Sequence, residues 1–249
     1  MDKLNSSETC IYNLLYTQFN EDFGRDTYFS YNLQFPTFYS LKNPYFYVSS
    51  AILTNINSTI KSDVYAFKKG LLEEEQDYNE ATSEDKLLKK SYKVTSTYAV
   101  TFNKNHILST ILSLIAFSGE SLPTYNELNN YNFDLLTGNP IMIKDIFNKG
   151  VNYTQLITDY LRYKISQNKD NYYEDVVIDI PDDQAFYITD TGLVIYFGVD
   201  EIAPAEYGIP KFKMSFEKFA PYISPRFYCS PSNMFSNARK ISRSSSKNR

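Results

Sequence analysis

The chain has 249 residues, of which 43% are hydrophobic, and its 25 basic and 29 acidic side chains leave a formal net charge of −4. This length suits one large domain or two small ones, with enough apolar content for a sizeable core. No apolar run approaches the roughly 20 residues of a transmembrane helix, and no signal peptide is visible.

The first part of the chain predicts a short helix, a strand and a long helix. Residues 1–24 are mixed and partly apolar, which indicates an N-terminal segment with one short helix. Residues 28–35 alternate between apolar and polar side chains, as a half-buried strand does, and Pro36 is expected to end that strand. Apolar residues at three-to-four spacing predict an amphipathic helix over residues 44–69. The acidic residues 73–85 indicate a solvated loop or a fraying helix end.

The middle of the chain predicts a β-hairpin followed by a shorter strand. Alternation resumes at residues 91–102, and a second strand is expected over residues 107–117. The tetrad at residues 103–106 lies between these strands and has the composition of a turn, so the two strands are expected to pair. Residues 131–135 predict a further short strand, which ends at a Thr-Gly-Asn turn.

The last part predicts a second helix, a compact hairpin and a final strand. Asn152 is the expected N-cap of the helix, whose apolar stripe extends to Ile165. The hairpin turns around residues 189–192, where the glycine is expected to supply a positive φ. A strand over residues 211–216 and a helical turn complete the elements. Their order predicts an α+β fold: an antiparallel β-sheet with two main α-helices packed against it.

Few residues offer metal or nucleophile chemistry. The chain holds one histidine and two cysteines, which excludes a histidine-rich zinc site and CxxC pairs, so no cofactor or metal is expected. His106 is expected to be an exposed turn residue rather than a catalytic base. Cys10 and Cys229 are expected to be free thiols, with pairing as the alternative if the termini meet.

One α+β domain is expected over residues 25–225, with an N-terminal half that ends at residue 138 and a C-terminal half that begins at residue 139. Residues 226–249 are basic and serine-rich, and they are predicted to form a disordered tail. This tail is interpreted as solubilising, with a tether to nucleic acid or an anionic surface as the alternative. No nucleic acid is expected to bind the folded body.

Several segments have the order and spacing of a known family. These segments are residues 131–138, 143–147, 186–197, 201–204 and 208–210, preceded by residues 34–38, Asn43 and residues 56–57. They resemble the extracytoplasmic domain of lysozyme-sensing anti-sigma factors of the RsiV type, which is domain of unknown function family 3298. The upstream part is similar to a domain also found in PdaC-type peptidoglycan deacetylases. The resemblance covers about residues 28–222.

The resemblance implies a non-catalytic binding domain of the bacterial cell envelope rather than an enzyme. In the anti-sigma relatives this domain binds lysozyme through loops that enter the sugar cleft, so the implied partner is a lysozyme-like protein or a peptidoglycan fragment. The family loop that corresponds to residues 201–210 is among those presented to the partner. The implied contact residues are Pro204, Glu206 and Tyr207 in this loop, and Ser118 and Glu120 in the loop after the first hairpin. The same motifs also suit a plain turn between strands.

The chain departs from the family pattern in both loops. Relatives usually read Ala-Pro-Tyr-Ala-Ala-Gly where residues 203–208 read Ala-Pro-Ala-Glu-Tyr-Gly, so the aromatic residue moves by two positions and an acid is added. Relatives commonly carry Gly-Gly-Ala-His where residues 118–121 read Ser-Gly-Glu-Ser. A transmembrane segment, a sigma-binding region and a deacetylase catalytic domain are not seen. We therefore expect a stand-alone sensor, or a domain that an export segment precedes.

Two other functions stay open. One is a cytoplasmic or spore-associated structural protein on the same scaffold, in keeping with the missing export signal and the basic tail. The other is a glycan hydrolase that acts through two facing carboxylates. Its candidate acids are Asp182, Asp183, Asp190, Asp200, Glu201 and Glu206. Localisation is undecided, because the family indicates an extracytoplasmic protein and the absence of a signal peptide indicates a cytoplasmic one.

Overall fold

The computed structural model describes residues 10–41, 47–82, 88–119 and 121–228. Within these ranges it contains two β-sheets and three α-helices, which confirms the predicted α+β class. In chain order the elements are β1 (Leu15–Arg25), β2 (Phe29–Ser40), α1 (Ser50–Ala81), β3 (Tyr92–Lys104), β4 (Ile107–Ser118), β5 (Tyr125–Asp134), α2 (Tyr153–Ser166), β6 (Phe186–Thr189), β7 (Gly192–Tyr196), β8 (Lys211–Ser215) and α3 (Phe216–Phe219). None of the helices in the described ranges is both long and apolar enough to cross a membrane.

The large sheet has five strands in sequence order, and α1 packs on one of its faces. All neighbouring strands are antiparallel except β2 and β3, which are parallel. The exception arises because α1 carries the chain from the end of β2 back to the start of β3, as a crossover between parallel strands requires. The apolar stripe of α1 is fully buried against this sheet, through Ile56, Ile60 and Val64.

The N-terminal segment forms a strand, so the short helix predicted within residues 1–24 is wrong for its described part. β1 pairs with β2 along its whole length, from Leu15 opposite Ser40 to Arg25 opposite Ser30. Its apolar residues are sparse, and their spacing does not separate a short helix from an edge strand. The residues of β1 form a strand rather than a helix because they pair with β2.

The prediction that Pro36 ends β2 is also wrong. β2 pairs with β3 only as far as Leu33, so a proline beyond that point removes no hydrogen bond from the β2–β3 ladder. The open edge of β2 is covered instead by Asn57 of α1. The Asn57 side-chain amide donates to the carbonyl oxygen of Phe38 at 2.9 Å, and its oxygen accepts from the Phe38 amide at 2.8 Å.

Helix α1 is longer than predicted because it includes most of the acidic stretch. It begins at Ser50 and ends at Ala81, whereas residues 42–46 and 83–87 lie outside the described ranges. Glu75 is buried and accepts from the Asn79 side chain at 2.7 Å. Glu74 accepts from the hydroxyls of Tyr92 at 3.1 Å and Tyr125 at 2.7 Å. These acids stabilise the packing of α1 on the sheet, which neither a solvated loop nor a fraying end would do.

The small sheet, in the order β6-β7-β8, packs against the large one near the β3–β4 turn. The Ser109 hydroxyl donates to the Asn132 side chain at 2.6 Å and accepts from the Ile188 amide at 3.0 Å. The ammonium of Lys104, largely buried, lies 2.7 Å from the Asp190 carboxylate in the β6–β7 turn. A second apolar core lies beneath this sheet, with Ile157 and Leu161 of α2 fully buried in it.

The turns of both predicted hairpins are confirmed, but the reason for glycine at position 192 differs from the predicted one. Asn105 and His106 have φ values of 55° and 59°, and His106 is half-buried rather than exposed. Gly192 does not have the positive φ that its position in the turn predicts. A Cβ on Gly192 would lie 2.6 Å from the Met214 carbonyl oxygen, so the close approach of β8 requires glycine there.

The predicted N-cap of α2 is confirmed, because the Asn152 side chain accepts from the Gln155 amide at 3.2 Å.

The folded part extends slightly beyond the predicted end of the domain. Phe227 is buried, and the Arg226 guanidinium donates to the Asp134 carboxylate at 2.8 Å, so these two residues do not belong to a disordered tail. Residues 229–249, with the rest of the predicted tail, lie outside the described ranges.

Cys10 is disulfide-bonded, so the expectation of a free thiol is wrong for this residue. The other cysteine, Cys229, also lies outside those ranges.

Candidate functional site

Residues 201–210, called the proline loop, connect β7 to β8 and carry three of the predicted contact residues. The base of the loop is closed by a hydrogen bond from the Phe197 amide to the Pro210 carbonyl at 3.1 Å. Ile202 and Ala203 are buried just after the loop begins, whereas residues 204–207 are exposed. The loop is therefore anchored by its apolar start and presents its tip to the surface.

The tip has a defined turn conformation. Pro204 precedes a short 3₁₀ turn over Ala205–Tyr207, which is closed by the Tyr207 amide donating to the Pro204 carbonyl at 2.8 Å. Gly208 ends the turn with a φ of 72°, and a Cβ there would contact nothing within 4 Å. The requirement for glycine at this position is therefore conformational. Pro204, Glu206 and Tyr207, the contact residues that the family resemblance implies in this loop, are all exposed at its tip.

Tyr207 is the outer end of a column of aromatic rings that reaches the core. The Tyr207 ring lies 5.6 Å from that of Tyr172, measured between centroids, and Tyr172 stacks on Phe212 at 5.8 Å. Phe212 meets Phe197 edge-on at 6.0 Å, and both phenylalanines are buried. Burial, together with the Tyr207 hydroxyl, raises the pKa of Tyr172 to about 12. Tyr207 itself remains 45% exposed. The column thus holds one exposed ring in a fixed position.

Tyr173 fixes the proline loop from the other side. Its amide donates to the Ile202 carbonyl at 3.1 Å, and its hydroxyl donates to the carboxylate of Asp200. Sequence reasoning missed both Tyr172 and Tyr173. The only signal for them is a tyrosine doublet in an otherwise polar connection after α2, and nothing in its spacing indicates contact with a loop about 30 residues later.

A groove of about 630 Å³ lies beside the two tyrosines. It is bordered by the C-terminal end of α2 on one side and by the chain that follows Tyr172 on the other. This groove is called the α2 groove from here on. Its lining residues are Arg162, Ile165, Ser166, Lys169, Asp170, Tyr172, Tyr173, Glu174, Val176 and Ile178. The lining combines charged side chains of both signs with apolar ones, so it is more polar than a typical pocket for a small apolar ligand.

None of the six candidate acids of a carboxylate hydrolase lines the α2 groove, whose own carboxylates belong to Asp170 and Glu174. Glu201 accepts a hydrogen bond from the Gly198 amide at 2.6 Å, so its carboxylate closes the turn at the start of the proline loop. Glu206 is exposed at the loop tip. Neither residue lines the α2 groove. Among the described residues, no three His, Cys, Asp or Glu side chains are grouped closely enough to hold a metal ion.

The second predicted contact loop is separate from the proline loop. Ser118 ends β4 of the large sheet and is buried, and its hydroxyl lies 2.8 Å from that of Thr124. The Ser118 amide also donates to the Thr124 hydroxyl at 3.1 Å, so Ser118 helps to close the connection between β4 and β5. Glu120 lies outside the described residues.

The architecture is therefore a two-sheet α+β scaffold that holds one rigid aromatic loop. Two family models match the chain: the model described as "Deacetylase PdaC" matches residues 24–125, and the one described as "Protein of unknown function (DUF3298)" matches residues 144–217. These matches confirm the predicted resemblance to the two domain families over residues 24–125 and 144–217. No curated protein matches the chain.

Two solved structures have a similar fold. A crystal structure of a DUF3298 family member from Bacteroides fragilis aligns with a TM-score of 0.56 and 16% sequence identity, over 86% of this chain and 95% of that chain. A DUF3298 family protein from Pseudomonas aeruginosa aligns with a TM-score of 0.49 and 13% identity, over 87% of this chain and 96% of that chain. The first likeness shows that this chain has the same fold as that protein.

Proposed function

We propose that this chain is a non-catalytic binding domain that presents the proline loop to a protein or glycan partner. The aromatic column is the observation that carries the proposal. It holds the exposed Tyr207 ring on Tyr172, so little conformational entropy is lost when a partner covers that ring. A pre-ordered tyrosine beside a proline, surrounded by polar residues, has the composition of a binding hot spot.

The proposed partner is a lysozyme-like protein or a peptidoglycan fragment, which is the partner class that the family resemblance implies. A narrow loop tip with an aromatic anchor suits a cleft, because a cleft can enclose the ring on both sides. Glu206 stands next to the anchor and is exposed, so a partner with a basic rim would be favoured.

The disulfide supports a location in an oxidising compartment. Cys10 is disulfide-bonded, and such bonds persist outside the cytosol and are rare within it. This observation favours an extracytoplasmic binding domain over a cytoplasmic structural protein. Fractionation of cells that produce a tagged chain tests the location: recovery from the envelope or the medium is expected, and recovery from the cytoplasm with reduced cysteines contradicts it.

Calorimetric titration with lysozyme and with soluble peptidoglycan fragments tests the binding function. Tyr207→Ala is expected to weaken binding at least about tenfold, the effect of removing a hot-spot side chain. Tyr222→Ala is the matched control, since Tyr222 is 43% exposed and lies outside the proline loop; its affinity is expected to stay within about twofold. If the unchanged protein binds neither partner well above micromolar concentration, the proposed function is wrong.

A further inference from the structure

A second surface lies in residues 176–180, called the extended segment, on the way from α2 to β6. Its side chains alternate in burial, as those of a β-strand do. Ile178 and Ile180 are buried in the core of the small sheet, whereas Val177 is 82% exposed and Asp179 is exposed. The segment therefore lies flat on the protein, with one row of side chains inward and one outward.

The backbone of the extended segment has no partner strand among the described residues. None of its amides or carbonyls forms a hydrogen bond with another described backbone group, and it belongs to neither sheet. Its upstream end is nevertheless fixed, because the Tyr173 amide bonds to Ile202. Strand-like backbone in a folded protein is normally paired, and an ordered, unpaired row of donors and acceptors is a template for another strand.

The α2 groove runs along this unpaired backbone. Val176 and Ile178 of the extended segment line it together with Arg162 and Ile165 of α2. Its volume of about 630 Å³ leaves room for several side chains of an added strand. The groove therefore provides side-chain pockets next to a backbone edge, which are the two elements of recognition by strand addition.

The charges near the extended segment select the occupant. Glu174, Asp175 and Asp179 are exposed, and none of them forms an ion pair with another described residue. The groove lining itself carries Arg162 and Lys169 against Asp170 and Glu174, so the excess of negative charge comes from Asp175 and Asp179. No basic residue occurs between positions 174 and 180. Opposite charges on facing strands stabilise strand pairing, and like charges destabilise it. A strand with lysine or arginine at alternate positions is complementary to this edge.

We propose that the extended segment binds an extended, basic polypeptide segment of a partner protein as an added β-strand. The partner's backbone pairs with residues 176–180, its basic side chains face Asp179 and its neighbouring acids, and its apolar side chains enter the α2 groove. This site goes beyond the proline-loop contact, because none of its evidence involves residues 204–207.

Synthetic peptides test the proposal directly. The probe is a seven-residue peptide of alternating valine and lysine, blocked at both ends, and its binding is followed by fluorescence anisotropy and amide hydrogen exchange. Binding is expected, together with slower exchange of the amides in residues 176–180, which have no backbone acceptor among the described residues. The same peptide with alternate amides N-methylated is expected to bind at least about tenfold more weakly, because the methyl groups remove the donors that pair with the segment.

A pair of charge reversals separates local pairing from general attraction. Asp179→Lys is expected to weaken the lysine peptide about tenfold and to favour the peptide that carries glutamate in place of lysine. Asp183→Lys changes the net charge equally at an exposed site outside the segment, and it is expected to leave the affinity within about twofold. Tyr207 packs on Tyr172 of the groove lining, so Tyr207→Ala is expected to change peptide affinity by no more than about twofold, against the tenfold loss at the proline loop. The loss of one site therefore does not imply the loss of the other.

Four results would overturn the proposal. Equal affinity of the N-methylated peptide would show that backbone pairing is not involved, and equal effects of the two charge reversals would show that the acids act only through net charge. Exchange at residues 176–180 that slows with protein concentration would assign the edge to a second copy of this chain. No binding of the lysine peptide at millimolar concentration would show that the edge takes no strand of this kind.

Discussion

Replacing Gly192 with alanine tests how closely β7 and β8 pack beneath the proline loop. The added Cβ would lie 2.6 Å from the Met214 carbonyl oxygen and 3.2 Å from two side-chain carbons of Lys213. The lysine can move aside, but the backbone oxygen moves only if β8 moves with it. Overpacking of this kind costs about 1–3 kcal/mol. For a chain of this size that loss lowers the melting temperature by about 2–12 °C.

Gly70 provides the matched control. It lies inside α1, and a Cβ there would meet nothing within 4 Å. Gly70→Ala is therefore expected to stabilise the protein by about 0.5–1 kcal/mol, because alanine restricts the unfolded chain and favours the helix. The same glycine-to-alanine change is therefore expected to lower the free energy of unfolding at Gly192 and to raise it at Gly70.

A second substitution tests why position 192 requires glycine: because β8 approaches closely, or because the turn needs a positive φ. Asparagine tolerates a positive φ better than alanine does, so Gly192→Asn would be the milder change if the turn required that conformation. Close approach predicts that Gly192→Asn destabilises at least as much as Gly192→Ala. Free energies of unfolding come from urea denaturation followed by circular dichroism. A Gly192→Ala variant as stable as the unchanged protein, or a milder asparagine variant, refutes the reasoning.

Substitutions at three further contacts between elements are each measured by urea denaturation. Asn57→Ala removes both hydrogen bonds to the open edge of β2 and is expected to destabilise by about 1–3 kcal/mol. Asp190→Asn leaves the largely buried Lys104 ammonium without its carboxylate, and a double-mutant cycle with Lys104→Met is expected to give a coupling of about 1 kcal/mol. Burial alone would raise the pKa of Asp134, but hydrogen bonds from the Arg226 guanidinium and two backbone amides lower that pKa on balance. The carboxylate therefore stabilises the fold at pH values above its ordinary pKa of 3.8, and this stabilisation is lost as the pH falls through the lowered pKa. Asp134→Asn is expected to flatten that acid dependence.

Each of these expectations has a result that contradicts it. An Asn57→Ala variant with unchanged stability would mean that water satisfies the β2 edge equally well. A cycle in which the Lys104 and Asp190 substitutions add without coupling would mean that solvent screens the pair completely. An Asp134→Asn variant whose stability declines with acid as steeply as that of the unchanged protein would assign the dependence to other carboxylates. Asp183→Asn, at an exposed site without a described partner, is the control for this comparison.

Local patterns in the sequence predicted the elements whose structure is decided locally. The hairpins around residues 103–106 and 189–192 and the capped start of α2 were all predicted, because turn composition and an N-cap act within a few residues. β1 and the second half of α1 were predicted wrongly. Their structure depends on distant partners: β1 on its pairing with β2, and the acidic end of α1 on the hydroxyls of Tyr92 and Tyr125.

The candidate site was predicted only in part for the same reason. The exposed tip with Pro204, Glu206 and Tyr207 was predicted from a resemblance, and the structure places these residues together. The ring that orders the tip belongs to Tyr172, which is far away in sequence, and no periodic pattern indicates it. The extended segment was missed because short alternation without a partner is indistinguishable from loop.

The two matched family regions depend on a strand that lies between them. β5 begins at residue 125, where the first match ends, and it ends before the second match begins at residue 144. It pairs with β4, and its Asn132 side chain donates to the Phe186 carbonyl at 2.8 Å. Tyr196, next to Phe197 at the base of the aromatic column, donates to the Leu128 carbonyl of β5 at 2.6 Å. Because β5 bonds to both sheets, the large sheet helps to position the column that holds the proline loop, and a chain cut between the two regions would lose that support.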